Sequence, residues 1–420
     1  METLRSAMPR IVHLAHTTES GGAEMALVRL LTAEQDWHPG LLVPTVDADD
    51  VFSEVEAPRW NRGVRQKSGG SRRSRLLDVG ARLLMQAAAT RWHHAVRRSD
   101  LVVANSTRSA AYGALAVTGT ARPFAVHLRD QITVESLGGF GYRLMTQVVL
   151  PRADGVVANS QTTLETAQQF LRDDALRAVI PSPAGLDRLT LAPQGHSRLR
   201  IGMLARLDPW KGQLALLEAF AAAFPAGDAE LELAGAALFE HEAFADELRA
   251  RAVELGIADR VRFLGHVDDI APLLAEWDIA VQYSLRPEPM GQNVLQCLAA
   301  GTALVVADEG GPTEWVRDAH NGLRVAPRAP HELATALRRL ADDDALRSRL
   351  AHAAVQTPGL LGDADIARLH AEAYRDIIEV RRPGTASVRS RGASSRASVT
   401  VAPIAAFQGV AVPALTTATP

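Results

Sequence analysis

Two short polar loops in the last third of the chain carry residue types that bind hydroxyls and phosphates. Residues 286–291 place one carboxylate, Glu288, between two prolines, and residues 310–314 read Gly-Gly-Pro-Thr-Glu. Each loop lies beside the predicted start of a helix. Backbone amides without intrahelical partners and a partial positive charge gather at helix amino ends. The pattern therefore predicts a site for a phosphorylated or hydroxyl-rich ligand.

Two cations lie five positions apart earlier in the same half. Arg206 and Lys211 follow a predicted strand that begins near Leu199 and precede an apolar helical pattern, with Gly212 allowing close backbone approach. A guanidinium binds a diphosphate through two parallel bonds, and an ammonium binds it as a point charge. The pair predicts a diphosphate site. Two solvated surface cations are the alternative interpretation.

The first half contains a weaker pair of signals. Gly21 and Gly22 follow a predicted strand over residues 10–15, although any tight turn uses such glycines. His127 ends a second strand pattern, just before Arg129. Because ligands of α/β sheets bind beyond the carboxyl ends of the strands, this position favours a site residue over a purely structural histidine.

The elements that must position these residues alternate between strand and helix. Residues 100–106 and 154–160 share the run Val-Val-Ala-Asn-Ser, a buried strand followed by residues that cap helices well. A chain of 420 residues is too long for one ordinary core. We therefore predict two doubly wound α/β domains.

Changes in composition mark the domain boundaries. Proline and glycine concentrate over residues 179–187, which divides the chain into domains at 1–185 and 186–360. A helical pattern over 361–380 could cross back to tie the halves together. Residues 381–420 contain no acidic residue and have the composition of a disordered tail.

Taken together, these segments resemble the retaining glycosyltransferases of family 4, a GT-B class that uses nucleotide-sugars. The similarity spans roughly residues 10 to 380 and rests on Gly-Gly-Ala-Glu at 21–24, on Arg206 with Lys211-Gly212, and on the loop at Glu288. It implies a GT-B fold, with two Rossmann-like domains facing across a cleft. The N-terminal domain would hold the acceptor and the C-terminal domain the donor.

The resemblance also implies a role for each candidate residue. The implied roles are catalysis for His127 and Glu288, donor diphosphate binding for Arg206, Lys211, Gly21 and Gly22, and donor sugar or ribose binding for Met290, Gly291, Gln292 and Gln296. The family usually has a second glutamate eight residues after the first, where this chain has Gln296. Replacing a charge-assisted bond by a neutral one costs roughly 1–2 kcal/mol, which weakens donor binding rather than abolishing the reaction.

The expected function is transfer of a sugar from a nucleoside diphosphate donor to a hydroxyl, in polysaccharide, glycolipid or cell-envelope glycan synthesis. The donor is expected to be a UDP- or GDP-sugar, and the acceptor a glycan, a lipid-linked sugar or a small molecule. No cofactor or metal is expected, because Arg206 and Lys211 would neutralise the leaving diphosphate. The alternatives are a catalytically impaired GT-B relative acting as a binding protein and a nucleotide-sugar epimerase.

Charge and cysteine content predict location and partners. A net charge of −3 gives no general attraction to nucleic acid, and a single cysteine, Cys297, fits a cytoplasmic protein. Residues 59–98, interpreted as a basic insertion, hold eleven Arg or Lys against one acid, Asp78. Residues 59–74 of it have the composition of a mobile loop, and 76–98 that of an amphipathic helix. This segment is either a solvated surface or a peripheral contact with anionic lipid on the inner face of the membrane.

Overall fold

The computed structural model describes residues 8–46, 50–63, 72–189, 198–225, 227, 229–237, 242–381 and 399–400. The chain divides into two compact units. Unit 1 contains Met1–Pro183 and Gly362–Val401, and unit 2 contains Ala184–Leu361 and Ala402–Pro420. The α/β architecture predicted from the alternating patterns is confirmed, because each unit has a parallel sheet covered by helices.

In unit 1 the described strands form one parallel sheet. Its strands are β1 (Arg10–Leu14), β2 (His38–Val43), β3 (Arg59–Asn61), β4 (Leu101–Ala104), β5 (Phe124–Leu128), β6 (Gly155–Ala158), β7 (Leu176–Val179) and β14 (Val399–Thr400). Their order across the sheet is β14-β7-β6-β5-β4-β1-β2-β3. The central strands β1, β4, β5 and β6 are almost fully buried, as expected of a parallel sheet covered on both faces.

Seven described α-helices belong to unit 1. They are α1 (Gly22–Thr32), α2 (Arg72–Trp92), α3 (His94–Arg98), α4 (Thr107–Val117), α5 (Val134–Leu144), α6 (Gln161–Ala167) and α14 (Asp363–Val380). The predicted caps at the two repeated runs are present, because the hydroxyls of Ser106 and Ser160 accept bonds from the amides of Ser109 and Thr163. These bonds fix the starts of α4 and α6 at the carboxyl ends of β4 and β6.

Unit 2 has a second parallel sheet. Its described strands are β8 (Leu199–Leu204), β9 (Ala229–Ala234), β10 (Val261–Gly265), β11 (Ile279–Gln282), β12 (Ala303–Ala307) and β13 (Leu323–Val325), in the order β10-β9-β8-β11-β12-β13. Its helices are α7 (Gln213–Ala223), α8 (Glu242–Glu254), α9 (Ile270–Ala275), α10 (Gln292–Ala300), α11 (Pro312–Trp315), α12 (Pro330–Asp342) and α13 (Asp344–Ala354). The strand order reverses direction at β8 and β11. This is where ligands bind in doubly wound sheets.

The helical pattern at 361–380 forms α14, which belongs to unit 1. It packs so closely on β6 that a Cβ placed on Gly155 would lie 2.4 Å from Cγ1 of Ile377. The buried Asp154 carboxylate also accepts bonds from Arg381 (2.9 Å), at the end of α14, and from Arg152 and Arg172 (3.1 Å each). This helix is therefore a structural part of unit 1.

The structure corrects the prediction of a loop at residues 59–61 and describes only part of the predicted tail. Residues 59–61 were expected in a mobile loop but form the edge strand β3, paired with Leu41–Val43. Residues 64–71, and the side chains of 72–78, lie outside the described residues. Of the predicted disordered tail, Val399 and Thr400 pair with β7, while residues 382–398 and 401–420 lie outside the described residues.

Candidate functional site

Two segments that are far apart in sequence place Lys211 against Glu288 in unit 2. The Lys211 ammonium donates to both carboxylate oxygens of Glu288 at 2.8 Å. The hydroxyl of Ser284 donates to Oε2 of the same carboxylate at 2.7 Å. The side chains of Lys211 and Glu288 retain 17% and 13% of their exposure, so solvent and ligands reach the pair. Lys211, Ser284 and Glu288 are called the Lys211–Glu288 site below.

Backbone geometry on the Lys211 side fixes the ammonium. Gly212 has φ of 83° and ψ of 18°, a left-handed conformation that favours glycine, and caps the start of α7. A Cβ at Gly212 would lie 2.0 Å from the carbonyl oxygen of Tyr283. The loop after β8 therefore lies directly against the loop after β11, which carries Ser284 and Glu288.

A second glycine contact fixes the Glu288 side. Gly310 has a φ of 69°, and a Cβ on it would lie 2.5 Å from the carbonyl oxygen of Glu288. That carbonyl accepts a bond from the Gly311 amide at 2.8 Å. The two polar loops singled out in the sequence are thus joined backbone to backbone, which holds Glu288 at the carboxyl edge of the sheet.

The amino end of α10 follows Glu288 directly. Gly291 occupies the cap position with φ of 78°, and no side chain caps the helix. Met290 and Gly291 are buried, and Gln292 is partly exposed. The first amides of a helix have no intrahelical acceptor. They therefore give this edge of unit 2 donors for phosphate or hydroxyl oxygens.

The two cations predicted to bind the diphosphate have different partners in the structure. Lys211 pairs with Glu288, whereas Arg206 is exposed and donates to Asp208 at 3.0 Å. The carbonyl of Arg206 accepts a bond from Gln213 at 2.8 Å, which ties its loop to α7. Both cations follow β8, so the structure brings them to the edge where the sequence predicts them.

Gln296 has a partner that the sequence did not predict. Its side chain is 4% exposed, and its amide nitrogen donates to the carbonyl of Ala184 at 2.9 Å. The amide therefore connects α10 to the first residue of unit 2. A carboxylate at this position would place an oxygen against that carbonyl instead of a donor.

In unit 1 the glycine loop precedes α1 and leaves open space. Nothing lies within 4 Å of the position a Cβ would take on Gly22, while a Cβ on Gly21 would lie 2.7 Å from Oε2 of Glu24. Glu24 is 6% exposed, and burial raises its pKa to about 6. Its nearest basic group is Nδ1 of His16, at 3.7 Å.

His127 lies near the carboxyl end of β5, as predicted, but its side chain is buried within unit 1. It is 3% exposed, and its Nε2 lies 2.8 Å from the hydroxyl of Tyr374 in α14. Its Nδ1 lies 3.2 Å from the guanidinium of Arg129. Because a guanidinium only donates, Nδ1 accepts and Nε2 carries the proton. Burial, with Arg129 next in effect, lowers the pKa of His127 well below its usual value.

Two more histidines lie beside His127, and a tryptophan joins the group through His13 and Tyr374. His13 is fully buried, and neither of its ring nitrogens has a hydrogen-bond partner among the described residues. Burial lowers its pKa to about 3 and that of His370 to about 4. The rings of Trp37 and Tyr374 meet edge to face at 5.4 Å. The group called the His127 cluster below consists of His13, Trp37, His127, Arg129, His370 and Tyr374.

Sequence patterns missed several partners of the predicted residues. Ser284 lacks a distinctive motif, and Tyr374 and His370 lie in a helix whose pattern predicts packing alone. Trp210 is also new: Lys211 Nζ and Arg286 Cζ lie 4.0 and 4.1 Å from its ring centroids. The spacing of His370 and Tyr374, four residues apart on the buried face of α14, is a signal that could have indicated a polar contact inside unit 1.

Residues 194–357 match the family described as glycosyl transferases group 1. Over 112 residues the chain is 38% identical to the lipopolysaccharide core biosynthesis glycosyltransferase LpsE of Rhizobium meliloti (strain 1021), covering 27% of this chain and 33% of the relative. It is 28% identical over 255 residues to the D-inositol 3-phosphate glycosyltransferase of Corynebacterium glutamicum (strain R), covering 56% and 60%. The chain thus spans from a third to three-fifths of these relatives' lengths.

Solved structures extend the likeness to both units. The crystal structure of Anabaena Alr3699/HepE in complex with UDP has a TM-score of 0.74 and 26% identity, covering 87% of this chain and all of that one. Sucrose-phosphate synthase from Thermosynechococcus elongatus has a TM-score of 0.75 at 19% identity, covering 88% and 99%, and shows the fold alone. The GT-B fold and the resemblance to group 1 glycosyltransferases are therefore confirmed.

Proposed function

We propose that the chain is a retaining glycosyltransferase that takes a sugar from a nucleoside diphosphate donor bound at unit 2. The observation that carries the proposal is the Lys211–Glu288 ion pair beside the uncapped amino end of α10. A cation, a carboxylate and helix amides at one strand edge suit a ligand with a diphosphate and sugar hydroxyls. The solved relative with bound UDP supports a nucleotide-sugar donor.

Each donor-site residue has a separate task in this proposal. Arg206 and Lys211 neutralise the diphosphate as it leaves, which is the step at which charge develops. Glu288 accepts bonds from the sugar hydroxyls, and the amides of Met290, Gly291 and Gln292 donate to sugar or phosphate oxygens. No metal enters this scheme, because the two cations supply the compensating charge.

Donor binding requires an exchange of partners at the site. In the structure Lys211 already has an anion, Glu288, so a diphosphate must compete for the ammonium. Once Lys211 turns to the phosphate, the carboxylate is released to accept bonds from hydroxyls. The ion pair thus keeps both charged groups satisfied until the donor replaces it.

Gln296, Gly21, Gly22 and His127 take supporting roles. Gln296 uses its amide nitrogen on Ala184, and its carbonyl oxygen is the group we assign to the ribose. The open space at Gly22 admits a phosphate or acceptor group beside α1. We keep His127 as a residue of the reaction, but as a neutral ring that would contact the sugar only after exchanging its bonds to Tyr374 and Arg129.

We propose further that the acceptor is a hydroxyl of a lipid-linked sugar in envelope glycan synthesis, and that the enzyme works in the cytoplasm at the inner face of the membrane. The basic residues at 59–98 favour this acceptor over a free metabolite. None of the helices among the described residues has the length and apolarity needed to cross a bilayer. The proposed contact with the membrane is peripheral and is made by the basic segment.

The proposal is tested first by ligand-induced stabilisation. Purified protein is heated with UDP, GDP, ADP and their sugars, with and without EDTA. A donor at 100 times its dissociation constant stabilises the folded state by about 2.7 kcal/mol. We expect one base to give a clear shift that survives EDTA and disappears in Arg206→Ala. Absence of a shift with every nucleotide would contradict the donor site.

A product assay then separates the reaction classes. Labelled donor is incubated with and without a lipid-linked acceptor, and the product linkage is determined by NMR. Transfer that keeps the donor's anomeric configuration supports the proposal. Interconversion of free donors identifies an epimerase, and donor binding without turnover identifies an impaired relative.

A further inference from the structure

The outward face of α2 is apolar in its described second half. Leu84, Met85 and Trp92 are 62%, 50% and 70% exposed. On the opposite face Gln86 and Thr90 are fully buried. A surface helix normally turns polar residues to solvent and apolar residues inward, so the distribution on α2 is inverted.

The exposed residues form one continuous stripe. At 100° per residue, the buried positions point to one side of the helix, and the exposed positions fall within an arc of about 100° on the other. Those positions are Ala81, Leu84, Met85, Ala88 and Trp92, which we call the α2 stripe. It runs for three turns without a charged or polar residue inside the arc.

Contacts to the rest of unit 1 hold the α2 stripe outward. Arg91 donates to the carbonyls of Ala116 and Thr118 at 2.9 and 2.7 Å, just where α4 ends. Gln86 donates to the carbonyl of Arg62 at 3.1 Å. Turning the stripe inward would break these bonds and expose the packed face, so its exposure belongs to the fold.

Positive charge is concentrated in the segment that contains the stripe. Residues 59–98 hold eleven Arg or Lys and one acid, and among the described side chains Arg62, Arg97 and Arg98 are exposed. Arg97 and Arg98 lie in α3, which follows Trp92 after one residue. Exposed apolar side chains, a tryptophan and nearby basic residues in one segment are the composition that binds the interface of an anionic bilayer.

We propose that the α2 stripe inserts into the interface of a membrane with anionic lipids, with Arg97 and Arg98 on the headgroups. This inference rests on the peripheral membrane contact in the proposed function and names the surface that makes it. A second copy of the chain is a poorer occupant. Packing stripe against stripe would bring two basic segments together and cost repulsion.

The test measures binding of the full chain to vesicles by sedimentation. Vesicles of phosphatidylcholine alone are compared with vesicles that also contain phosphatidylglycerol. Wild-type protein should bind the anionic vesicles and be released by salt. The triple variant Leu84→Gln/Met85→Gln/Trp92→Gln should bind at least about tenfold more weakly, because each side chain buries apolar area in the interface.

A matched control removes an exposed apolar side chain elsewhere. Val253→Gln, on α8 of unit 2, alters a residue that is 66% exposed and should leave vesicle binding unchanged. Arg97→Gln/Arg98→Gln should reduce the preference for anionic vesicles while leaving residual binding to neutral ones. Light scattering of wild type and triple variant without lipid reports self-association in the same preparations.

Three outcomes would overturn the inference. They are failure of the wild type to bind either vesicle, equal binding by the triple variant, and a wild-type dimer that the triple variant dissociates. Nucleotide-induced stabilisation of the triple variant is measured in parallel. If the triple variant keeps this stabilisation, it is folded and its weaker vesicle binding reports the α2 stripe. If the wild type shows the stabilisation but binds neither vesicle, the proposed donor site stands and the membrane contact alone is rejected.

Discussion

The Lys211–Glu288 site and the His127 cluster both lie near the carboxyl ends of parallel strands, but their ionisable side chains lie in opposite environments. In unit 2 the Lys211 ammonium and the Glu288 carboxylate are paired and partly open to solvent. In unit 1 three histidines are closed from solvent and held neutral by burial. The open pair can exchange its partner for a ligand, whereas the closed cluster mainly couples the sheet to α14.

Acidification should have the largest effect on stability, and it should act through the histidines of the His127 cluster. The folded pKa values of His13 and His370 are about 3 and 4, below 6.5, and that of His127 is also lowered. The unfolded chain therefore binds more protons below about pH 6.5, and stability is lost as pH falls. Each histidine contributes a slope of up to about 1.4 kcal/mol per pH unit.

Glu24 contributes a pH dependence of the opposite sign. Its folded pKa of about 6 exceeds the ordinary value, so between about pH 4.5 and 6 the folded state binds its proton more readily, and stability rises as pH falls. The net slope of unfolding free energy against pH should be close to the contribution of two histidines, about 3 kcal/mol per pH unit. It is measured by urea unfolding of the wild type at several pH values. A flat profile down to pH 5 would show that the cluster is not neutral.

His13→Leu sharpens this measurement. It removes one titrating ring and two buried nitrogens without partners, which should reduce the slope by about 1.4 kcal/mol per pH unit and raise neutral stability by about 1–3 kcal/mol. His352→Leu, at an exposed position of α13, is the matched control, because it removes a histidine that is not buried, and it should change neutral stability by no more than about 0.5 kcal/mol.

Lys211→Met should reduce transfer by about 10²–10³-fold, the usual effect of removing one group that stabilises developing charge. Turnover should fall at saturating donor, because in the proposed reaction the lost interaction acts on the leaving diphosphate. Arg200→Met is the control: Arg200 pairs with Glu276 and lies on the same strand β8, near its amino end. Equal losses in both variants would mean that general stability, and not the Lys211–Glu288 site, determines the rate.

Gln296→Glu tests a residue of unit 2 that behaves like those of the His127 cluster. The substitution introduces the glutamate that the resemblance to family 4 leads one to expect here, but it replaces a buried donor to the Ala184 carbonyl by an acceptor. We expect a loss of about 1–3 kcal/mol in unfolding free energy at neutral pH. Part of the loss should be recovered in acid, because a protonated carboxyl donates again.

Gln292→Glu is the matched substitution in the same helix. Gln292 begins α10 and is partly exposed, so a carboxylate there should be neutral to stability or slightly favourable through the helix dipole. If Gln296→Glu instead left stability unchanged and tightened donor binding, its bond to Ala184 would have no structural importance.

Sequence patterns predict the two α/β units well because their strands are continuous apolar runs and their helices begin at recognisable caps such as Ser106 and Ser160. They predict Lys211 and Glu288 separately but not their pairing, because that contact depends on how the loops after β8 and β11 meet. They place His127 at a strand end without showing that it is buried. Its hydrogen-bond partner, Tyr374, is 247 residues away in the sequence.

Trp210→Leu should have the smallest effect and tests how firmly the open site is preorganised. The cations of Lys211 and Arg286 both lie over the partly exposed indole, and a cation–π contact close to solvent contributes about 0.5–1 kcal/mol. Leucine keeps apolar contact but loses this attraction, so donor affinity should fall two- to fivefold with turnover nearly unchanged. Trp210→Phe keeps an aromatic face and should lie between leucine and the wild type. If leucine and phenylalanine gave the same affinity, packing alone would position Lys211, and the open site would resemble the closed cluster more than its charges suggest.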